Sequence, residues 1–144
     1  MSKGQDIVLS ILYLQGEIWG RTYLQKFLFL LNKEKFKDKL FKFSPYRYGP
    51  FSSELSNLMV DLESMGIIEE KSEKTKGLET AYRYMLTKKG KDIAGKIFED
   101  NLTAKERKEL IEYSNKFKRH SATELLKYVY KEYPDETIRS EFRE

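Results

Sequence analysis

The sequence predicts a mainly helical α+β fold, and three observations carry that expectation. Apolar residues recur at three- and four-residue spacing in six separate stretches of the 144 residues. Strand-like alternation is confined to one stretch, where Tyr82, Tyr84 and Leu86 alternate with Arg83 and Met85. The composition is globular, 40% hydrophobic and 35% charged, and contains no Cys. A chain of this size removes roughly 70% of its unfolded surface from water, so it folds without disulfide or metal support.

Each element follows from a local signal. Ile7, Val8, Ile11, Leu12 and Leu14 form a helical stripe that Gly16 ends. Ile18 and Trp19 predict a short strand or turn. Thr22 is placed to cap a second helix, in which Tyr23, Leu24 and Phe27 through Leu31 leave almost no polar face beyond Gln25 and Lys26. Such a helix belongs in the middle of a core. Residues 33 to 44 interleave lysines with Phe36, Leu40, Phe41 and Phe43, making a basic, aromatic connector. Gly49-Pro50 predicts the start of a third helix, because Pro suits the first helical position. Phe51, Leu55, Leu58, Met59, Leu62 and Met65 define its buried face, and Gly66 ends it.

Ile67-Ile68, a polar stretch from Glu69 to Thr80 and the alternation around Tyr84 predict a β-hairpin with a charged loop. Thr87 caps a fourth helix carrying Ile93, Ala94, Ile97 and Phe98. Thr103 with Glu106, and Ser121 with Glu124, have capping-box spacing and open two further helices. Pro134 stops the last of these; Ile138 and Phe142 could dock the tail.

The order helix, short strand, helix, connector, helix, hairpin, helix is that of a winged helix-turn-helix. Residues 1–100 are expected to form that domain and residues 101–144 a helical extension packed on it. Two motifs sharpen the expectation. The stretch from Gly20-Arg21-Thr22 through Leu24-Gln25-Lys26 to Leu31 resembles the GRT-x-LQK-hydrophobic helix of the YwgA-like proteins and the related Panacea (SocA-like) domains. Phe43 through Ser53, with Tyr46, Tyr48, Gly49, Pro50, Phe51 and Ser52, resembles their YGP-[FY]-S element. The resemblance covers about half the chain and implies a prokaryotic, winged-helix-like domain. It also implies two kinds of role: DNA binding, as presumed for many winged-helix relatives, or an antitoxin or adaptor that holds a partner protein.

Catalysis is poorly supplied. The single histidine, His120, cannot build a multi-histidine metal cage. There is no cysteine nucleophile, no GxSxG serine and no glycine-rich phosphate loop. The expectation is a non-enzymatic protein with no cofactor and no metal. The longest apolar run, Phe27 to Leu31, covers five residues, against about 20 for a membrane-crossing helix. The start of the chain lacks the pattern of a secretory signal, so a cytoplasmic protein is expected.

Charge is segregated. Residues 21–50 carry a net charge of +6 and residues 51–70 one of −5, within a chain of net +4. The third helix contains no Lys or Arg and carries Glu54, Asp61 and Glu63, which disfavours ordinary insertion into a phosphate-lined major groove. For double-stranded DNA, the expected phosphate contacts are Arg21, Lys37, Lys39, Lys42, Arg47, Lys88 and Lys89, with Ser53 and Asn57 nearest the bases. For the alternative, a protein partner such as a toxin or a second copy of the chain, Tyr46 and Tyr48 are the candidate anchors.

Overall fold

A computed structural model describes residues 2–47, 49–74, 76–77 and 80–137. Helix α1 (Lys3–Gln15) starts at Ser2, whose hydroxyl accepts the Gln5 N–H at 3.1 Å, and ends at Gly16, which has φ +81°. Strand β1 (Glu17–Trp19) follows, with Ile18 buried between two exposed neighbours. Helix α2 (Arg21–Lys35) is preceded by Gly20 and has no side-chain cap, so Thr22 lies inside the first turn instead of capping it. Every residue from Tyr23 to Asn32 is buried, which makes α2 the central rod of the core.

The third helix begins later than Gly49-Pro50 predicts. Strand β2 (Ser44–Tyr46) pairs antiparallel with β3 (Gly49–Phe51), and helix α3 (Ser53–Ser64) starts only after Ser52. Pro45 faces Pro50 in this small ladder, which few sequence rules would allow; a two-stranded ribbon tolerates Pro because its outer N–H groups have no partner to lose. Gly49 has φ +83°, and a Cβ there would meet Leu126 Cδ1 at 3.0 Å and Lys26 Cε at 3.3 Å, so both conformation and space call for glycine.

Strands β4 (Ile68–Lys74) and β5 (Thr80–Leu86) form the expected hairpin, and the three-stranded antiparallel sheet has the order β1-β5-β4. The polar stretch after Ile68 is mostly strand, not loop. As an edge strand it is exposed on nearly every residue, so apolar alternation is missing, and its charges guard the open edge. Helices α4 (Lys88–Asp100), α5 (Ala104–Phe117) and α6 (Ala122–Glu132) carry the expected caps at Thr87, Thr103 and Ser121, the last two as complete capping boxes. A 3-10 turn (Pro134–Thr137) ends the described chain; Ile138 and Phe142 lie outside the described residues.

Leu110, Tyr113, Phe117, Leu125 and Val129 of the last two helices belong to the same apolar cluster as Ile7, Phe27 and Leu55. Helix α6 packs along α2, and α5 packs against both α1 and α2. The architecture is therefore α+β: helices around a small antiparallel sheet, with one continuous core that the C-terminal helices help to fill. No helix among the described residues is long and apolar enough to cross a membrane.

Candidate functional site

Three polar residues of α2 fix the surface that follows it in sequence. Gln25 donates through Nε2 to the Ser52 carbonyl at 3.0 Å and accepts the Ser52 N–H through Oε1 at 2.8 Å. Ser52 is thereby held where its hydroxyl accepts the Leu55 N–H at 3.1 Å and caps α3. Lys26 Nζ donates to the Pro50 carbonyl at 2.8 Å; burial pushes its pKa down to about 8. Asn32 accepts the Leu40 N–H at 2.8 Å and donates to the Phe41 carbonyl at 2.9 Å. Each is at least 95% buried. The connector, the small ribbon and the start of α3 are thus tied to the core by side chains whose polarity suggests a solvated face.

What α3 presents outward is its functional interest. Leu55, Met59 and Leu62 point inward. Ser53, Asn57, Val60 and Ser64 form the opposite, exposed ridge at three- and four-residue spacing. Glu63 stands on one flank of the ridge, and Glu54 and Asp61 on the other. Val60 is 64% exposed, and Met65, expected on the buried face, is 53% exposed just past the helix end. The apolar spacing that identified α3 skips Val60. Its one sequence signal is being the only β-branched residue among the helix's outward polar positions.

A groove of about 210 Å³ runs beside this ridge, floored by Leu24, Phe51, Met59 and Val60 and closed at one end by Arg21, Glu63 and Glu70. Arg21 donates to Glu70 through Nε at 3.2 Å and Nη2 at 2.6 Å, and its guanidinium lies 3.8 Å from the centre of the Tyr82 ring. The hydrogen bond from Arg21 holds the Glu70 carboxyl below the usual carboxylate range, and Glu70 in turn raises the Arg21 pKa. Glu63 accepts the Glu70 N–H at 3.0 Å. Arg21 is thus committed to a bidentate partner.

The remaining expected cations occupy two other places. Lys37, Lys39 and Lys42 are exposed on the connector, which meets the start of α3 where Glu54 accepts the Lys42 N–H at 3.2 Å. Lys37 and Asp38 both have positive φ, 52° and 61°, in a loop pinned by Asn32. Beside the loop, a groove of about 480 Å³ mixes Lys33, Lys39 and Lys42 with Asp38, Glu54 and Glu136. Lys33 sits 3.2 Å from Asp38 and 4.0 Å from Glu136. Lys88 and Lys89 lie at the far end of α3, with Lys89 Nζ donating to the Met65 carbonyl at 3.1 Å. At 1.5 Å rise per residue, about 16 Å separates these two basic sites. The cations surround α3 in separate groups, with carboxylates between them.

Arg47 is exposed between β2 and β3, and Tyr46 is 51% exposed with its ring 5.4 Å from that of Phe51. Tyr48 lies outside the described residues. Ser53 and Asn57 do stand together on the exposed ridge of α3. Sequence reasoning also passes over Glu34, which accepts hydrogen bonds from the phenols of Tyr113, Tyr128 and Tyr133 and so ties α5 and α6 to α2. Burial and the Glu34 charge raise the Tyr113 and Tyr133 pKa values. Among the described residues, no group of three or more His, Asp or Glu is placed to hold a metal ion.

The comparison with known proteins supports the YwgA-like part of the resemblance. The chain is 36% identical over 90 residues to the uncharacterized protein YwgA of Bacillus subtilis (strain 168), a match covering 62% of this chain and 53% of the relative. The resemblance is thus to a YwgA-like protein. The chain spans about half the length of the curated relative it matches, and no family model matches it.

Proposed function

We propose that this chain is a winged-helix protein-interaction module of the antitoxin or adaptor kind, and that it holds a partner polypeptide on the outer surface of α3. The winged-helix reading is supported by the element order and by the hairpin β4-β5, which follows α3 and pairs with β1. One observation carries the choice of partner. The helix that would enter a DNA groove exposes Glu54, Asp61 and Glu63, has no cation, and displays Val60 and Met65 to solvent. Carboxylates facing phosphates cost binding energy, whereas an apolar side chain ringed by charge suits a protein interface.

A photo-crosslinking residue placed at position 60 is expected to capture a polypeptide in cells of the source organism, while the same residue at Lys105 on α5 captures none. Equal capture at both positions would refute the assignment of the surface.

One observation favours a second reading, in which the pinned connector binds DNA: its exposed Lys37, Lys39 and Lys42 are presented on a fixed loop. In that case affinity for a duplex falls with salt, by about 0.9 in the logarithmic slope for each phosphate neutralised, and Lys39→Glu with Lys42→Glu abolishes binding. Under the first reading the double variant leaves partner capture at position 60 intact.

A further inference from the structure

The ridge of α3 carries more information about its occupant than that the occupant is a protein. Val60 stands at the centre of a neutral strip, with Ser53, Asn57 and Ser64 as its other members. Acids border the strip on both sides, Glu63 on the groove side and Glu54 with Asp61 on the other. The neighbouring groove offers an apolar floor of Leu24, Phe51 and Met59, while the one guanidinium at its rim, that of Arg21, is consumed by Glu70. The surface therefore offers an apolar centre between two negative borders on a helix with no cation of its own, the neighbouring Lys42 and Lys89 standing at its two ends. Overall the chain is net +4, so this negative charge is local and runs against the global field.

We infer that the α3 surface docks a basic amphipathic helix of another protein, seated with its apolar stripe on Val60 and in the groove beside it, and with Lys or Arg on both edges of that stripe. The inference rests on the reading of α3 as a protein-binding face and adds the chemistry of the partner. The fit is one of charge and shape together. A helix laid along the ridge brings an i, i+3/i+4 apolar stripe onto Val60 and the groove. Residues flanking such a stripe project to either side, toward Glu63 on one edge and Glu54 with Asp61 on the other. A duplex nucleic acid presents the opposite charge to the same acids. An acidic helix would meet repulsion on both edges.

The test uses the full chain and designed peptides of about 14 residues, long enough to lay four helical turns along α3. One peptide carries a leucine stripe with lysine on both flanks, a second replaces every lysine by glutamate, and a third replaces them by glutamine. Binding is followed through the methyl NMR signals of Val60, Met59 and Met65. The lysine peptide is expected to shift these methyls and to bind about ten-fold more tightly than the glutamine peptide, with no shifts from the glutamate peptide. Asp61→Lys, at an exposed position, is expected to weaken the lysine peptide about five-fold. Val60→Ser should weaken the lysine and glutamine peptides alike.

Equal shifts from all three peptides would overturn the charge assignment and leave α3 standing as a protein-binding face. Lysine-peptide binding that leaves the α3 methyls unmoved overturns the inference outright. If no peptide moves them, while a short DNA duplex shifts residues of the connector or of α3, both the inference and the protein-binding reading fail.

Discussion

Helices α2 and α3 are of similar length and lie next to each other in sequence, yet their polar residues have opposite fates. In α2, Gln25, Lys26 and Asn32 are buried and spend their hydrogen-bonding capacity on backbone atoms of residues 40 to 52. In α3, only Leu55, Met59 and Leu62 are buried, and its acids and amides face solvent. The first helix uses polarity to hold the neighbouring chain in place, and the second is the part so held. On α3, Glu54 and Glu63 each accept one neighbouring backbone N–H, while Ser53, Asn57, Val60, Asp61 and Ser64 face solvent, so most of the rigidity of this surface is supplied from beneath. That combination, a fixed backbone with an outward ridge open to solvent, is what a binding face needs.

The contrast breaks most visibly where α2 loses a buried donor and acceptor together. Asn32→Leu keeps the branched side-chain skeleton but orphans the Leu40 N–H and the Phe41 carbonyl, both next to buried side chains. Each orphaned group costs about 1–3 kcal/mol, so a loss of about 4 kcal/mol is expected in urea unfolding. The connector should loosen at the same time, seen as faster amide exchange from Lys37 to Phe41. Unchanged exchange there, despite a fall in stability, would mean that Asn32 does not hold the loop.

Lys26 sharpens the same contrast through pH. Its pKa is depressed from 10.5 to about 8 because burial disfavours the ammonium. The folded state therefore releases this proton more easily than the unfolded chain does. The charged amine destabilises the fold fully below pH 8, and the penalty fades between about pH 8 and 10.5. Over that window the native protein should gain on the order of 3 kcal/mol relative to a Lys26→Met variant. Taking the difference between the two proteins removes the tyrosine titrations, which both share. Parallel stability curves for the two would show that the buried amine is not desolvated in the way its surroundings imply.

The six helices, the caps of α4, α5 and α6 and the hairpin were legible in the sequence because their determinants are local, whereas Thr22 does not cap α2. Ser121 and Glu124, or Thr87 and its following glycine, find their partners within three residues. What the sequence conceals depends on partners far along the chain. Gln25 meets Ser52 across 27 residues, and Glu34 meets Tyr133 across 99. A composition-based reading places such polar groups on a wet face, and nothing in their spacing says otherwise. The Gly49-Pro50 pair misled for a related reason: its signal for a helix start is real but weak, and the Gln25 and Lys26 contacts to Ser52 and Pro50 shift the start to Ser53. The segregation of charge was visible from counting alone. That the connector's lysines are interleaved with Asp38, Glu54 and Glu136 required the fold.

The smallest expected effect lies on α3 and is as diagnostic as the largest. Asp61→Lys and Val60→Ser change exposed side chains on a helix whose buried face they do not touch, so stability should move by no more than about 0.5 kcal/mol in either direction. Replacing a β-branched residue by serine in a helix is close to neutral in propensity, and Val60 at 64% exposure surrenders little buried area. Any loss of partner binding in these variants is then a direct effect on the face, since the fold beneath is unchanged. A measured loss of 2 kcal/mol or more, beyond the roughly 0.5 kcal/mol usual for surface changes, would place these side chains in a structural role. The division of labour between the two helices would then be lost, because the outward ridge of α3, like the polar residues of α2, would be serving its own fold.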